Sequence, residues 1–198
     1  VETTVFARLL VGMASTHPAM DTGYVTDSAA SATALATGVK TYNGAIGVDT
    51  NKKPVQSVLA LAKEQGRKTG IAVTSQINHA TPASFSSHNE SRQNYDQIAD
   101  SYFDERINEQ FILDVMLGGG WKYFIREDRN LVEQFKAAGY QYVDELTQLD
   151  SVKPGTPLLG LFADSGMPWA LDSPNQMRLP TLAKAAIRQL ENEHGYFL

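Results

Sequence analysis

The chain has 198 residues, 42% of them hydrophobic and 20% charged, with a formal net charge of -5. That length and apolar content suit one soluble domain with a sizeable core, and an acidic balance without a Lys or Arg run argues against a nucleic-acid or anionic-membrane partner. Cysteine is absent, which excludes a disulfide framework, and no apolar run approaches the ~20 residues that span a bilayer.

In chain order, a strand-like "GYV" delivers Thr26 and Asp27, and Ser28 opens an alanine-rich helix. Pro54 starts a helix whose apolar face is Val55, Val58, Leu59 and Ala62, closed by Gly66. "TGIAVTS" (Thr69 to Ser75) is a continuous apolar run of the kind buried in a parallel sheet. A polar loop with Pro82 follows, then a helix from Tyr95 towards Val115, broken near Arg106. "DVMLGGG" reads as a strand ending in a glycine turn, Leu131 to Ala138 as a helix, and "GYQYV" and "LLGLFA" as strands. Leu179 to Glu193 is an amphipathic helix with Leu182, Ala186, Ile187 and Leu190 on one face; Gly195 ends it before a buried, strand-like "YFL". The alternation predicts an α/β fold with a mostly parallel sheet. No linker divides the chain. Its start at Val1 rather than Met, and an apolar strand start at its far end, predict a fragment of a larger protein.

Several features are read as structural. Gly118-Gly119-Gly120 lacks the Gly-Lys-Ser/Thr ending of a P-loop and reads as a tight turn. Arg126-Glu127-Asp128-Arg129 reads as a solvated helix start, and His17 and His194 as surface histidines. Tyr95, Tyr102, Phe103 and Phe111 recur at helical intervals and read as core. Trp121 and Trp169 carry no functional signal separable from packing.

Two stretches remain. In "YVTDSAASATALATG", Ser28 sits at the positive end of a helix macrodipole, where free N–H groups hold an anion such as phosphate. The small neighbours would let a substrate and its ions approach the hydroxyl. A plain helix cap by Asp27 or Ser28 explains the same residues. In "NHATPASFSSHNESR", His79, Thr81, His88 and Arg92 follow a parallel strand, on the edge where open α/β sheets bind ligands. A capped loop-to-helix transition is the plainer alternative.

Together these motifs resemble bacterial alkaline phosphatases, marine and cold-adapted forms most closely. The first stretch is similar to their nucleophile segment and "HATPASFSSHNESR" to their second active-site segment; the likeness continues through "DVMLGGG" to "LPTLAKAAIRQLENEHGYFL". The resemblance implies a three-layer α/β/α fold in which residues 1–198 are part of a single catalytic domain, truncated at both ends. It implies that Ser28 is the phosphorus-attacking nucleophile and a zinc ligand, that Asp27 orients the phosphate-binding arginine, and that Arg92 is that arginine. Thr81 matches a magnesium-site hydroxyl. His79 falls where members carry aspartate or histidine, near the metal water shell, which leaves metal preference open. Two zinc ions, one magnesium ion, phosphate monoesters as substrates, inorganic phosphate as product, a homodimer, and a periplasmic or secreted location follow from the resemblance alone. The family's other metal ligands precede and follow this stretch, and Asp164, Asp172 and His194 do not fall in matching contexts.

The chemistry is compatible with those roles. Zinc activates a serine without a histidine base, so His88 is not needed in a triad. An arginine fork matches two phosphoryl oxygens. The alternatives are another superfamily activity (sulfatase, phosphodiesterase or phosphomutase), whose nucleophile context differs, and a non-catalytic anion-binding α/β domain.

Overall fold

The computed structural model describes residues 3–173 and 178–198. In chain order its elements are α1 (Val5–Leu9), α2 (Ser28–Thr37), α3 (Val58–Glu64), β1 (Lys68–Gln76), α4 (Ala80–Ser86) and α5 (Tyr95–Asp104). There follow β2 (Arg106–Ile107), β3 (Gln110–Phe111), β4 (Val115–Gly119), α6 (Trp121–Phe124), α7 (Leu131–Ala137) and β5 (Gln141–Val143). A 3-10 turn (Leu146–Ser151), β6 (Leu158–Leu161), α8 (Arg178–Leu190) and β7 (Tyr196–Phe197) complete the order.

Five strands form a parallel sheet in the order β5-β6-β4-β1-β7. Successive side chains of a strand point to opposite faces, and the two cores follow that alternation. Met116, Leu159 and Leu161 face one cluster with Ala29, Leu59, Ala83, Ile98, Tyr102 and Phe135 from α2, α3, α4, α5 and α7. Val115, Leu117 and Leu158 face the other, with Leu182, Ala186 and Leu190 of α8. Helices therefore cover both faces, the expected three-layer α/β/α arrangement. Every residue of β4 and β6 is buried, as doubly covered parallel strands require. Among the described residues no helix is long and apolar enough to cross a membrane.

Several expectations need correction. "GYV" is not a strand: Tyr24 and Val25 are 90% and 82% exposed, and no described strand lies beside them to pair. The helix expected from Pro54 begins at Val58, because Ser57 caps it by accepting from the Ala60 N–H. Pro54 and Val55 are drawn instead into backbone pairing with Val48 and Gly47. The polar loop around Pro82 is helix α4. Pro82 is tolerated in its first turn, where an N–H has no intrahelical partner, and Ser84 and Ser86 turn their hydroxyls back onto the carbonyls of Ala80 and Pro82.

The helix after Tyr95 ends at Asp104, and the chain then turns through the β2–β3 hairpin on Asn108 and Glu109, both at positive φ (49° and 64°). The Arg126–Arg129 run is a turn before α7 rather than a solvated helix start. Arg126 is bound by Asp100 and Asp128, and Arg129 forks onto Asp104, so the charges tie this turn to α5. Asn130 caps α7. "YFL" forms an edge strand with β1 alone, leaving Tyr196 and Leu198 part-exposed rather than buried. The glycine run is structural but is not the tight turn expected: Gly118 and Gly119 lie within β4, where a Cβ on Gly119 would lie 1.8 Å from the Ser165 carbonyl oxygen, and only Gly120 leaves the strand.

Candidate active site

Asp27, with extended backbone at φ -94° and ψ 177°, caps α2 through Oδ1, which accepts from the Ala30 N–H at 2.9 Å. Its other carboxylate oxygen, Oδ2, accepts from Arg92 Nη1 at 3.1 Å, and the same nitrogen donates to Ser28 Oγ at 2.8 Å. Cap and ion partner, alternatives in the sequence, are thus both realised, with one oxygen for each. Burial raises the Asp27 pKa, but the Ala30 N–H and the Arg92 bond and charge outweigh it, and the carboxyl titrates below its ordinary value. The Arg92 and Asp27 side chains remain 19% and 26% exposed, so the pair is sheltered yet reachable by a ligand.

Arg92 Nη2 meets His79 Nε2 at 3.2 Å. A guanidinium can only donate, so Nε2 is the accepting nitrogen and the neutral ring carries its proton on Nδ1. Burial, and then the charge of Arg92, hold the His79 pKa below the usual imidazole range. His79 stands at the N-cap of α4 without a side-chain cap bond, which leaves its ring free to face the guanidinium.

The missing bulk around Ser28 has a packing cause. Ala29, Ala30, Ala32 and Ala36 of α2, with Ala80 and Ala83 of α4, are between 0% and 3% exposed. Larger side chains would push these helices apart. At their contact Thr33 Oγ1 lies 3.2 Å from Ser84 Oγ, and Ser84 Oγ lies 3.4 Å from the Ala29 carbonyl. Their alanines set two helix starts side by side just beyond the C-terminal end of β1, the edge of an α/β sheet that binds ligands.

The structure thus joins Asp27, Ser28, His79 and Arg92. Thr81 stands apart from their hydrogen bonds, exposed on the first turn of α4. Sequence reading missed Asn43 and Gly44, which bond the backbone of Asp27 and Arg92.

Among the described residues no group of three or more His, Asp or Glu side chains could hold a metal ion. Both Asp27 oxygens are engaged, and Ser28 and Thr81 offer neutral hydroxyls. Such oxygens serve as single ligands but do not hold a divalent ion alone. The described residues therefore do not fit a self-sufficient zinc or magnesium site.

His88 lies outside the cluster. Its Nε2 is 3.1 Å from the Val55 carbonyl, and its Nδ1 is 3.6 Å from Glu105 Oε2. The Glu105 contact raises its pKa above the ordinary value. A raised folded-state pKa contributes stability that is full below the unfolded value of ~6.5 and is lost as pH rises through the folded value. Glu105→Gln should accordingly lower the melting temperature at pH 6 more than at pH 9. Equal losses in melts at the two pH values would contradict the pairing.

The family model for alkaline phosphatase matches residues 1–198. Alkaline phosphatase 4 of Bacillus subtilis is 53% identical over 197 residues, covering 98% of this chain and 42% of that protein. The crystal structure of a cold-active alkaline phosphatase from a psychrophilic Shewanella superposes with a TM-score of 0.91 at 54% identity, over 100% of this chain and 47% of that one. A histidine-to-glutamate mutant of TAB5 alkaline phosphatase, solved with magnesium bound, aligns with a TM-score of 0.80 at 32% identity, over 92% of this chain and 51% of that one. The likeness to a cold-adapted form agrees with the sequence reading, and the chain spans less than half the length of the Bacillus and Shewanella proteins. This chain belongs to the alkaline phosphatase family.

Proposed function

We propose that the protein carrying this chain hydrolyses phosphate monoesters, passing the phosphoryl group to Ser28 and then to water. The observation that carries this reading is the single Arg92 nitrogen shared between Ser28 Oγ at 2.8 Å and Asp27 Oδ2 at 3.1 Å. Arg92 accompanies the hydroxyl as a donor only, and Asp27 keeps the guanidinium from swinging away.

A phosphoryl group entering beside Ser28 would take over the Arg92 nitrogens from Ser28 Oγ and His79 Nε2, giving a fork to two of its oxygens. First-turn N–H groups of α2 not used by the Asp27 cap add positive potential at the same place. Ser28 Oγ, its proton passed to water, then forms a bond to phosphorus as the phosphorus–alkoxide bond breaks; the alkoxide takes a proton from water and leaves as the alcohol, and a phosphoserine remains. Attack by water on that phosphorus releases inorganic phosphate and restores Ser28. No side chain of the cluster is placed to take the serine proton: Arg92 donates, and His79 faces Arg92. Bound zinc would supply the missing activation by lowering the hydroxyl pKa.

Two zinc ions and one magnesium ion are part of the same proposal, with Ser28 and Thr81 as the ligands it takes from the described residues. A homodimer is proposed on the family likeness alone. Export to the periplasm or beyond rests on the family likeness alone. Comparing turnover of p-nitrophenyl phosphate with that of the corresponding sulfate and diester tests the reaction class. Preference for the sulfate or the diester would overturn it.

His79 is proposed to tune the magnesium site from its water shell. Replacing a neutral ring by a carboxylate adds a negative charge near the cation, so His79→Asp should tighten magnesium binding on the order of tenfold. Magnesium titrations of the two forms that superimpose would refute it.

A further inference from the structure

The cluster is assembled from stretches far apart in the chain, and one short segment between α2 and α3 touches two of them. Asn43 is exposed, yet both ends of its side-chain amide are engaged on backbone. Its Oδ1 accepts from the Asp27 N–H at 2.9 Å, and its Nδ2 donates to the Val25 carbonyl at 2.8 Å. One residue on, the Gly44 carbonyl accepts from the Arg92 N–H at 2.7 Å. Around these, the Tyr42 hydroxyl donates to the Glu90 carbonyl at 2.8 Å, and Ile46 and Asn89 exchange backbone bonds of 2.9 Å and 2.8 Å. The segment is itself anchored to α2, because Thr33 Oγ1 donates to the Ala45 carbonyl at 3.0 Å and accepts from the Gly47 N–H at 3.0 Å.

The helix start explains why an outside residue is needed. Where a helix has a capping box, the residue at its third position reaches back with a Glu or Gln side chain to the N–H of the cap residue. Here that position is Ala30, only 1% exposed and closed to a longer side chain by the packing of α2. The Asp27 N–H is met by Asn43 instead. The same amide grips Val25, whose neighbours Tyr24 and Thr26 lie in no strand, so the backbone leading to the nucleophile is held at two points by one side chain.

We propose that Asn43 is a positioning residue: its amide fixes the backbone that presents Ser28 while the adjacent Gly44 carbonyl fixes Arg92, so the two hold the hydroxyl and the guanidinium in register. Its exposure leaves it little part in the core, and it bears no charge. Its role is geometric, and displacement of a reacting group by about 1 Å costs ~10²-fold in rate. The proposal rests on the reading of Ser28 as the nucleophile and Arg92 as the phosphate-binding group.

In the whole enzyme, kcat is compared per active site, counted by the burst of phosphoenzyme, for the wild type, Asn43→Ala and Asn43→Asp, and the burst itself is measured in Ser28→Ala. Asn43→Ala is expected to lower kcat per site by about 10- to 100-fold, to change KM for the ester less, and to shift the melting temperature little. Asn43→Asp keeps an acceptor for the Asp27 N–H but loses the donor to Val25, and is expected to fall between wild type and Asn43→Ala. A kcat per site within twofold of wild type in Asn43→Ala, even with a lower melting temperature or fewer active sites, overturns the positioning role. If Asn43→Ala does not fold, Asn43→Asp decides alone: wild-type kcat per site overturns the proposal and a several-fold loss supports it. Ser28→Ala separates the two layers. A phosphoenzyme burst that survives in it refutes the nucleophile itself, whereas loss of the burst there with a normal Asn43→Ala refutes only the positioning role.

Discussion

Ser28→Ala in the whole enzyme should lower kcat/KM for a phosphate monoester by about 10³-fold or more while inorganic phosphate still binds. Ser28 Oγ is the only hydroxyl bonded to the Arg92 guanidinium among the described residues, so no neighbouring oxygen is poised to take its place. The phosphate cradle survives the substitution, since Asp27 Oδ2 still accepts from Arg92 Nη1 and Asp27 Oδ1 still accepts from the Ala30 N–H. Alanine also suits the first helical position and the close packing of α2. Steady-state kinetics with phosphate as competitor read both parts. Turnover within tenfold of wild type would remove Ser28 from the chemistry.

Arg92→Ala should act differently. It removes two charge-assisted hydrogen bonds to the phosphoryl group, each worth ~1.5–3 kcal/mol before water compensates. A loss of about 10²- to 10³-fold in kcat/KM is therefore expected. It also strips Asp27 of its ion partner and leaves a carboxylate facing the incoming phosphate, which repels it. Product phosphate makes the same contacts as the ester, so its inhibition should weaken in parallel. Arg92→Lys restores a charge but not the planar fork, and should recover only part of the loss. Unchanged inhibition by phosphate in Arg92→Ala would exclude this residue from the site.

The two halves of this site were legible in the sequence to different depths. Asp27-Ser28 before an alanine run signals a helix start, and Arg92 lies in a polar stretch after a buried parallel strand, but that the two meet is implied by the family resemblance alone. The division of Asp27 between cap and guanidinium was not legible, because each role accounts for the same carboxylate. The sequence suggests the alanines as clearance for substrate, whereas their burial, with that of Ala80 and Ala83, shows that they also let two helices approach. That cause is tertiary and leaves no local pattern.

Misreadings of the fold have similar origins. "ATPASFS" carries a proline and three hydroxyls, which favour a loop until the proline falls in a first turn and serines bond back to their own helix. Phe103 and Phe111 mimic helical spacing, yet they meet across the α5-to-hairpin bend, 5.4 Å between ring centroids. Asn43 could not be found at all, since nothing local tells that its amide serves residues on the far side of α2. The sheet, by contrast, was readable because strands covered on both faces are apolar throughout.

Brief reaction of the whole enzyme with isotopically labelled phosphate, an acid quench and peptide mapping of the trapped phosphoenzyme test the central claim most directly. The account predicts one labelled residue, Ser28, and no label in the Ser28→Ala enzyme. Label on any other residue, or on none under conditions where Ser28→Ala still turns over, would contradict it.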